Sequence, residues 1–204
     1  LAAFIAVSAA ILFLALFAGP RLILPFAISD TDREILYSIR LPRVTVALLM
    51  GAALGASGAV LQGVLRNPLA DPYILGISSG ASLAAALGLL VGFYVLGSVS
   101  VPVAAFVGAS LVSVLVGVFG WKRGGLWPER LLLAGIGLNF LFSAVLMLLL
   151  SISSDEGLRR AVLWMFGDLS MADWSLIPSA SVFIIIGLVI AVTRSKALNA
   201  LILG

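Results

Sequence analysis

The sequence predicts an all-α fold, a polytopic transmembrane helical bundle, and three observations carry that expectation. The chain is 62% hydrophobic and 10% charged, where soluble domains carry about 25% charged residues. Its mean hydropathy is +1.24. Its apolar stretches are continuous runs full of Leu and Ala, not the short alternating segments of an outer-membrane barrel.

Six spans follow in order, at about 1–18, 44–65, 74–95, 102–120, 131–151 and 176–193. Each is near the roughly 20 residues that cover a hydrocarbon layer of about 30 Å. The first has no basic leader and no cleavage site, so it reads as a retained span and not a signal peptide. The chain opens without Met and closes just after a span, which suggests a fragment of a longer protein.

The connectors differ. Residues 19–42 form a long link with prolines and charges, and 66–72 form a tight turn bracketed by Pro68 and Pro72. The link 97–101 is nearly uncharged, and 121–130 is basic. In the long link 152–175, Ser153 and Glu156 have capping-box spacing, which predicts a short interfacial helix over 156–166 stopped by Gly167. The basic residues divide six against six between the two sides. The set with shorter connectors holds both lysines, which favours 66–72, 121–130 and 194–204 as cytoplasmic.

Composition also excludes functions. The chain has no His and no Cys, so disulfides, thiolate or imidazole metal sites and His-based catalysis are ruled out; no metal and no cofactor are expected. The net charge of +3 lies scattered at helix ends, so no nucleic-acid partner is expected. The lipid bilayer is the expected surrounding.

Four groups of residues carry the candidate sites. Gly51 and Gly55 on span two, and Gly76 and Gly80 on span three, have the small-x-x-x-small spacing that lets helix backbones approach. They serve packing inside the subunit, a dimer face or a pathway. Gln62 is read as a buried amide that either bonds a neighbouring helix or lines a polar path. Asn67, Pro68, Leu69 and Asp71 form a stiff turn that is either a plain connector or a gate. Arg40 and Arg43 either anchor the interface or present forks to carboxylates of a partner. Gly76 to Gly80 also fits the G-x-S-x-G pattern of serine hydrolases around Ser78. That chemistry needs a base, and the only lysines, Lys122 and Lys196, lie at helix ends.

In order and spacing, Ile39-Arg-Leu-Pro-Arg43, Gly51-Ala-Ala-Leu, Gln62, Arg66-Asn-Pro-Leu-Ala-Asp-Pro72 and Leu75-Gly-Ile-Ser-Ser-Gly-Ala81 resemble one family. So do Leu132-Leu-Ala-Gly-Ile136, Trp164-Met-Phe-Gly-Asp-Leu-Ser170 and Leu198-Asn-Ala-Leu-Ile-Leu-Gly204. The family is the FecCD-type permease subunits of ABC importers for iron-siderophores, haem and cobalamin. The resemblance implies a ten-span permease of the cell (inner or plasma) membrane that pairs with a second permease subunit. It implies two ABC ATPase subunits on the cytoplasmic side and an extracytoplasmic substrate-binding protein. It further implies that Arg40 and Arg43 dock the binding protein and that Asn67, Pro68 and Leu69 lie at the cytoplasmic gate. Leu198, Asn199 and Gly204 would lead into the ATPase-coupling region. Residues 1–204 would then be one partial permease domain, lacking the coupling helices and later spans. Such a subunit is no enzyme itself; ATP hydrolysis belongs to its partner. Trp127-Pro128-Glu129 departs from the small polar residues usual before span five. The competing expectations are an ion-coupled secondary transporter and an intramembrane serine hydrolase. No ionisable residue falls at the middle of a span, which argues against the former.

Overall fold

The computed structural model describes residues 2–203 apart from 27, 94, 123–124, 168 and 170–171, and leaves the side chains of 98, 126 and 201–203 undescribed. Among the described residues its regular structure is helical, except for two short antiparallel strands that pair Trp121–Lys122 with Gly125–Leu126. Each of the six predicted spans contains an apolar helix: α1 (Ala2–Phe17), α3 (Leu41–Leu65), α4 (Ile77–Val91), α5 (Ser100–Gly120), α6 (Pro128–Ser151) and α8 (Leu176–Thr193). Between and after them lie the short helices α2 (Asp30–Glu34), α7 (Asp155–Met165) and α9 (Ser195–Leu203). Four described helices are long and apolar enough to cross a membrane: the continuous stretch Asp30–Leu65, α5, α6 and α8. Two units make up the chain, Leu1–Ala53 with Leu169–Leu188 and Leu54–Asp168 with Val189–Gly204.

In the first unit, the expected link between spans one and two is ordered as helix over much of its length. Ser29 and Asp32 form a reciprocal capping box that starts α2. A π-helical turn, Ile35–Arg40, carries the chain from α2 into α3, with Leu41 N–H donating to the carbonyl of Leu36. The cause is visible two residues on. Pro42 has no N–H, and its ring crowds a carbonyl one turn back, so a wider turn relieves the clash. The helix therefore continues through a proline that the sequence places at the entrance of a span.

The second unit is built on close contacts between α4, α5 and α6. Leu65, Ala70, Leu75, Val112, Val116 and Leu131 form one core cluster. Ala85, Val101 and Ala105 form another, against which Trp164 packs. Span three is shorter than expected: α4 has 15 residues because left-handed glycines bound it, Gly76 at φ 72° and Gly92 at φ 71°. An L residue there would place Cβ against its own carbonyl.

Helix α7 confirms the short helix expected after span five, with its start shifted by one residue. The cap is Ser154, whose hydroxyl accepts from Gly157 N–H at 3.3 Å, while Ser153 donates to the carbonyl of Leu150. Gly157 and Ala161, four residues apart, are buried, and Glu156, Arg159 and Arg160 face outward. The helix thus lays one narrow apolar face on its neighbours, with Ala161 clustering with Ala86, Leu146 and Leu150.

Candidate functional site

The first candidate group sits where α3 begins. Arg40 is the last residue of the π-helical turn, and its guanidinium points back toward α1. Nη1 donates to the carbonyls of Leu16 at 2.7 Å and Ala18 at 3.4 Å, and Nη2 donates to that of Arg21. Arg21 is itself held by Asp32, with Nε 2.7 Å from Oδ1. The other oxygen, Oδ2, accepts from the Ser29 hydroxyl at 2.7 Å and backbone N–H at 3.1 Å. Arg43 lies one helical turn beyond Arg40 and is half-buried. Trp174 closes the same neighbourhood: its indole N–H donates to the carbonyl of Tyr37 at 2.9 Å, and the two rings lie 5.2 Å apart.

The second group follows α3. Arg66 takes a left-handed conformation, φ 49°, and ends the helix. Two linked side-chain turns then stiffen the loop. Asn67 Oδ1 accepts from Leu69 N–H at 2.9 Å, and Asp71 Oδ1 accepts from Tyr73 N–H at 2.7 Å. Between them Ala70 is buried in the core cluster, while Pro68 is exposed and Leu69 is 81% exposed. The turn is pinned by its inward alanine and projects a leucine outward.

The glycines separate into two kinds. A Cβ at Gly80 would stand 2.2 Å from Val112 Cγ2, and one at Gly108 would stand 2.4 Å from the carbonyl oxygen of Gly80. With Ala84 against Gly108 and Gly88 against Ala104, five small residues at four-residue spacing, Gly80, Ala84 and Gly88 on α4 and Ala104 and Gly108 on α5, bring the two helices together. Gly76 has its own reason, since a Cβ there would meet Asn139 N and the Gly135 carbonyl at 3.0 Å. Gly51 and Gly55 behave differently: nothing lies within 4 Å of a Cβ at either. Helix backbones therefore approach closely at Gly76 and Gly80, and among the described residues nothing stands within 4 Å of a Cβ at Gly51 or Gly55.

Gln62 corrects another expectation. It is exposed on α3, not a buried amide, because no described helix covers that face. Leu198 and Asn199 lie on α9, Leu198 half-buried and Asn199 exposed; Gly204 falls outside the described residues. Among the described residues no hydrogen bond joins Ser78 to a base; its neighbour Ser79 donates to the carbonyl of Gly76 at 2.8 Å, and close packing accounts for the two flanking glycines. Among the described residues, no cluster of His, Cys, Asp and Glu is arranged to hold a metal. Sequence reading did not assign Gly19, Arg21, Asp32, Gly108 or Trp174 to a site. Ala104-x-x-x-Gly108 was the available signal for one of them; the others are joined only by the fold.

Long apolar helices whose middles hold no ionisable residue, with a glycine-lined crossing between α4 and α5, define a polytopic helical membrane protein. The model of the FecCD transport family matches residues 2–204, and the chain belongs to that family. It is 41% identical over 180 residues to the hemin transport system permease protein HmuU of Yersinia pestis, covering 86% of this chain and 53% of that protein. It is 35% identical over 179 residues to the iron(3+)-hydroxamate import system permease protein FhuG of Bacillus subtilis, covering 85% and 53%. The cobalamin import system permease protein BtuC of Halobacterium salinarum is 34% identical over 181 residues, covering 89% and 48%. The chain thus spans about half the length of these curated relatives. A solved metal-chelate-type ABC transporter in an inward-facing conformation superposes with a TM-score of 0.86 at 29% identity, covering 98% of this chain and 63% of that one.

Proposed function

We propose that this chain belongs to the permease subunit of an ATP-driven importer for a metal chelate of the iron-siderophore, haem or cobalamin kind. The observation that carries this is the family match over residues 2–204, joined to the fold shared with a metal-chelate-type transporter. Its membrane is the cell (inner or plasma) membrane. Its partners are a second permease subunit, cytoplasmic ABC ATPase subunits and an extracytoplasmic binding protein. The subunit breaks no covalent bond. ATP binding in the partners shifts its helices between outward-open and inward-open states.

Roles follow for the candidate residues. The Arg40–Arg43 turn belongs to the docking surface for the binding protein, where guanidinium forks suit carboxylates. The Asn67–Asp71 turn is the cytoplasmic gate; its internal hydrogen bonds and projecting Leu69 support a stiff element that opens by moving whole. Gly51, Gly55 and Gln62 line a face of α3 that meets the pathway or another part of the assembly, since nothing described packs on the two glycines. Leu198, Asn199 and Gly204 lead toward the ATPase-coupling region.

The test is to purify the full-length subunit with its ATPase partner in nanodiscs and measure ATP hydrolysis. The binding protein is expected to raise the rate. Failure of the subunit to co-purify with any ABC ATPase overturns the reading.

A further inference from the structure

We propose that Trp174 is a positioning residue for docking: its indole N–H fills the backbone carbonyl that Pro42 leaves without a helical donor, and so holds the π-helical turn that sets the direction of Arg40 and Arg43. This role rests on the docking reading above and brings to it a residue from another part of the chain.

A helix brings each carbonyl a donor from four residues on, or from five in a π turn. For Tyr37 these donors would be residues 41 and 42. Leu41 N–H donates instead to the carbonyl of Leu36, and Pro42 has no N–H to give. The Tyr37 carbonyl is therefore left by its own helix, and a backbone acceptor in that position takes a partner from elsewhere. It takes Trp174, 137 residues away, whose indole N–H donates at 2.9 Å. The two rings also meet, with centroids 5.2 Å apart and planes inclined by 35°. Ring contact and hydrogen bond fix the same pair.

Trp174 is presented from a firm base. Its neighbour Asp173 accepts through Oδ1 from Ser175 N–H at 2.9 Å, from the Ser175 hydroxyl at 2.6 Å and from Leu176 N–H at 3.2 Å, a capping turn at the start of α8. At the other end, Pro42 is fully buried, so the widening it forces is built into the turn. A π turn holds one residue more than an α turn. If it relaxed, the residues ahead of it would rotate by about 100° about the helix axis relative to α3. Arg40 belongs to the turn and Arg43 to α3. The two keep one mutual direction only while the turn keeps its width.

The experiment uses the full-length subunit assembled with its ATPase in nanodiscs, and compares Trp174→Phe, Pro42→Ala and the double variant. Phe keeps a ring on Tyr37 and loses the N–H, while Ala at 42 returns a backbone N–H to the turn. Two readouts are taken: amide hydrogen exchange over residues 38–41, and affinity for the binding protein. Trp174→Phe is expected to speed exchange about fivefold, as for the loss of one ordinary hydrogen bond. Affinity is expected to fall by about the same factor, because fewer molecules hold the docking shape. Made on Pro42→Ala, the same replacement is expected to change neither, since the carbonyl then has a donor from its own helix. Unchanged exchange in Trp174→Phe, or an effect as large on Pro42→Ala as on the wild type, overturns the proposal. So does faster exchange with unaltered affinity while Arg43→Glu still weakens docking. If exchange responds as expected but neither Trp174→Phe nor Arg43→Glu alters affinity, the docking reading fails and the hold of Trp174 on the turn stands. Should Trp174→Phe not assemble, the double variant is expected to do so; failure of both overturns the proposal.

Discussion

Replacing Gly108 by Ala tests whether the α4–α5 crossing is set by backbone contact. The added Cβ would stand 2.4 Å from the Gly80 carbonyl oxygen and 2.6 Å from Ala84 Cβ. Carbon atoms pack at about 3.5–4.0 Å, so the helices must part by about 1 Å, forfeiting about a quarter to a half of the attraction along the seam. The neighbouring atoms are backbone and a methyl on backbone, which have no rotamer by which to yield. Overpacking of this kind costs about 1–3 kcal/mol, and Ala recovers at most about 1 kcal/mol of helix propensity over Gly. With the full propensity gain, the net expectation is a loss of up to about 2 kcal/mol. Gly117, on the same helix, is the control, because nothing lies within 4 Å of a Cβ there. Gly117→Ala is expected to be neutral or stabilising by up to about 1 kcal/mol. Both are read by equilibrium unfolding of the full-length protein in micelles, followed by circular dichroism. Equal stabilities for the two variants would refute the reasoning.

Three further outcomes follow from local geometry. Ser154→Ala removes the cap of α7 and is expected to cost about 1 kcal/mol, while Ser153→Ala, lying before the cap, costs less; the same unfolding assay ranks them. The Asp173 carboxyl is held below its ordinary value of 3.8, chiefly by the Ser175 hydroxyl and also by the N–H groups of Leu176 and Ser175, with burial opposing. Because the folded value is depressed, the support it gives the start of α8 is complete above 3.8 and fades as pH falls through the lower folded value. Hydrogen exchange at Ser175 and Leu176, corrected for its intrinsic pH dependence, should quicken in that acidic range in the wild type. In Asp173→Ala it should be fast at every pH, and a wild type without the change would count against the cap. Arg43→Glu should weaken docking of the binding protein, most strongly at low salt where charges are least screened; unchanged docking there would remove Arg43 from the surface.

Much of the fold was legible because hydrocarbon runs have one stable form in a bilayer. The turn after α3 was legible for a similar reason, since two prolines and an asparagine leave the backbone few choices. The packing pattern was only half legible. Spacing pointed to Gly76 and Gly80 as one face, yet Gly76 caps the helix in a left-handed conformation while Gly80 forms the crossing. Spacing cannot tell a terminus from a contact when both want glycine. Gln62 was read as buried because an amide in an apolar run is costly, but whether a helix covers it depends on neighbours, not on its own sequence. The hydrogen bonds from Arg40 to the end of α1 were illegible because their acceptors are backbone carbonyls, which every residue carries and no motif marks.

The most direct test of the central claim is transport itself. The full-length subunit is reconstituted in proteoliposomes with its ATPase, and uptake of haem, a ferric hydroxamate and cobalamin is measured with and without the binding protein. Uptake of one of these chelates that requires both ATP and the binding protein is the predicted result. Uptake that proceeds without the ATPase, driven by a proton or sodium gradient alone, would contradict it.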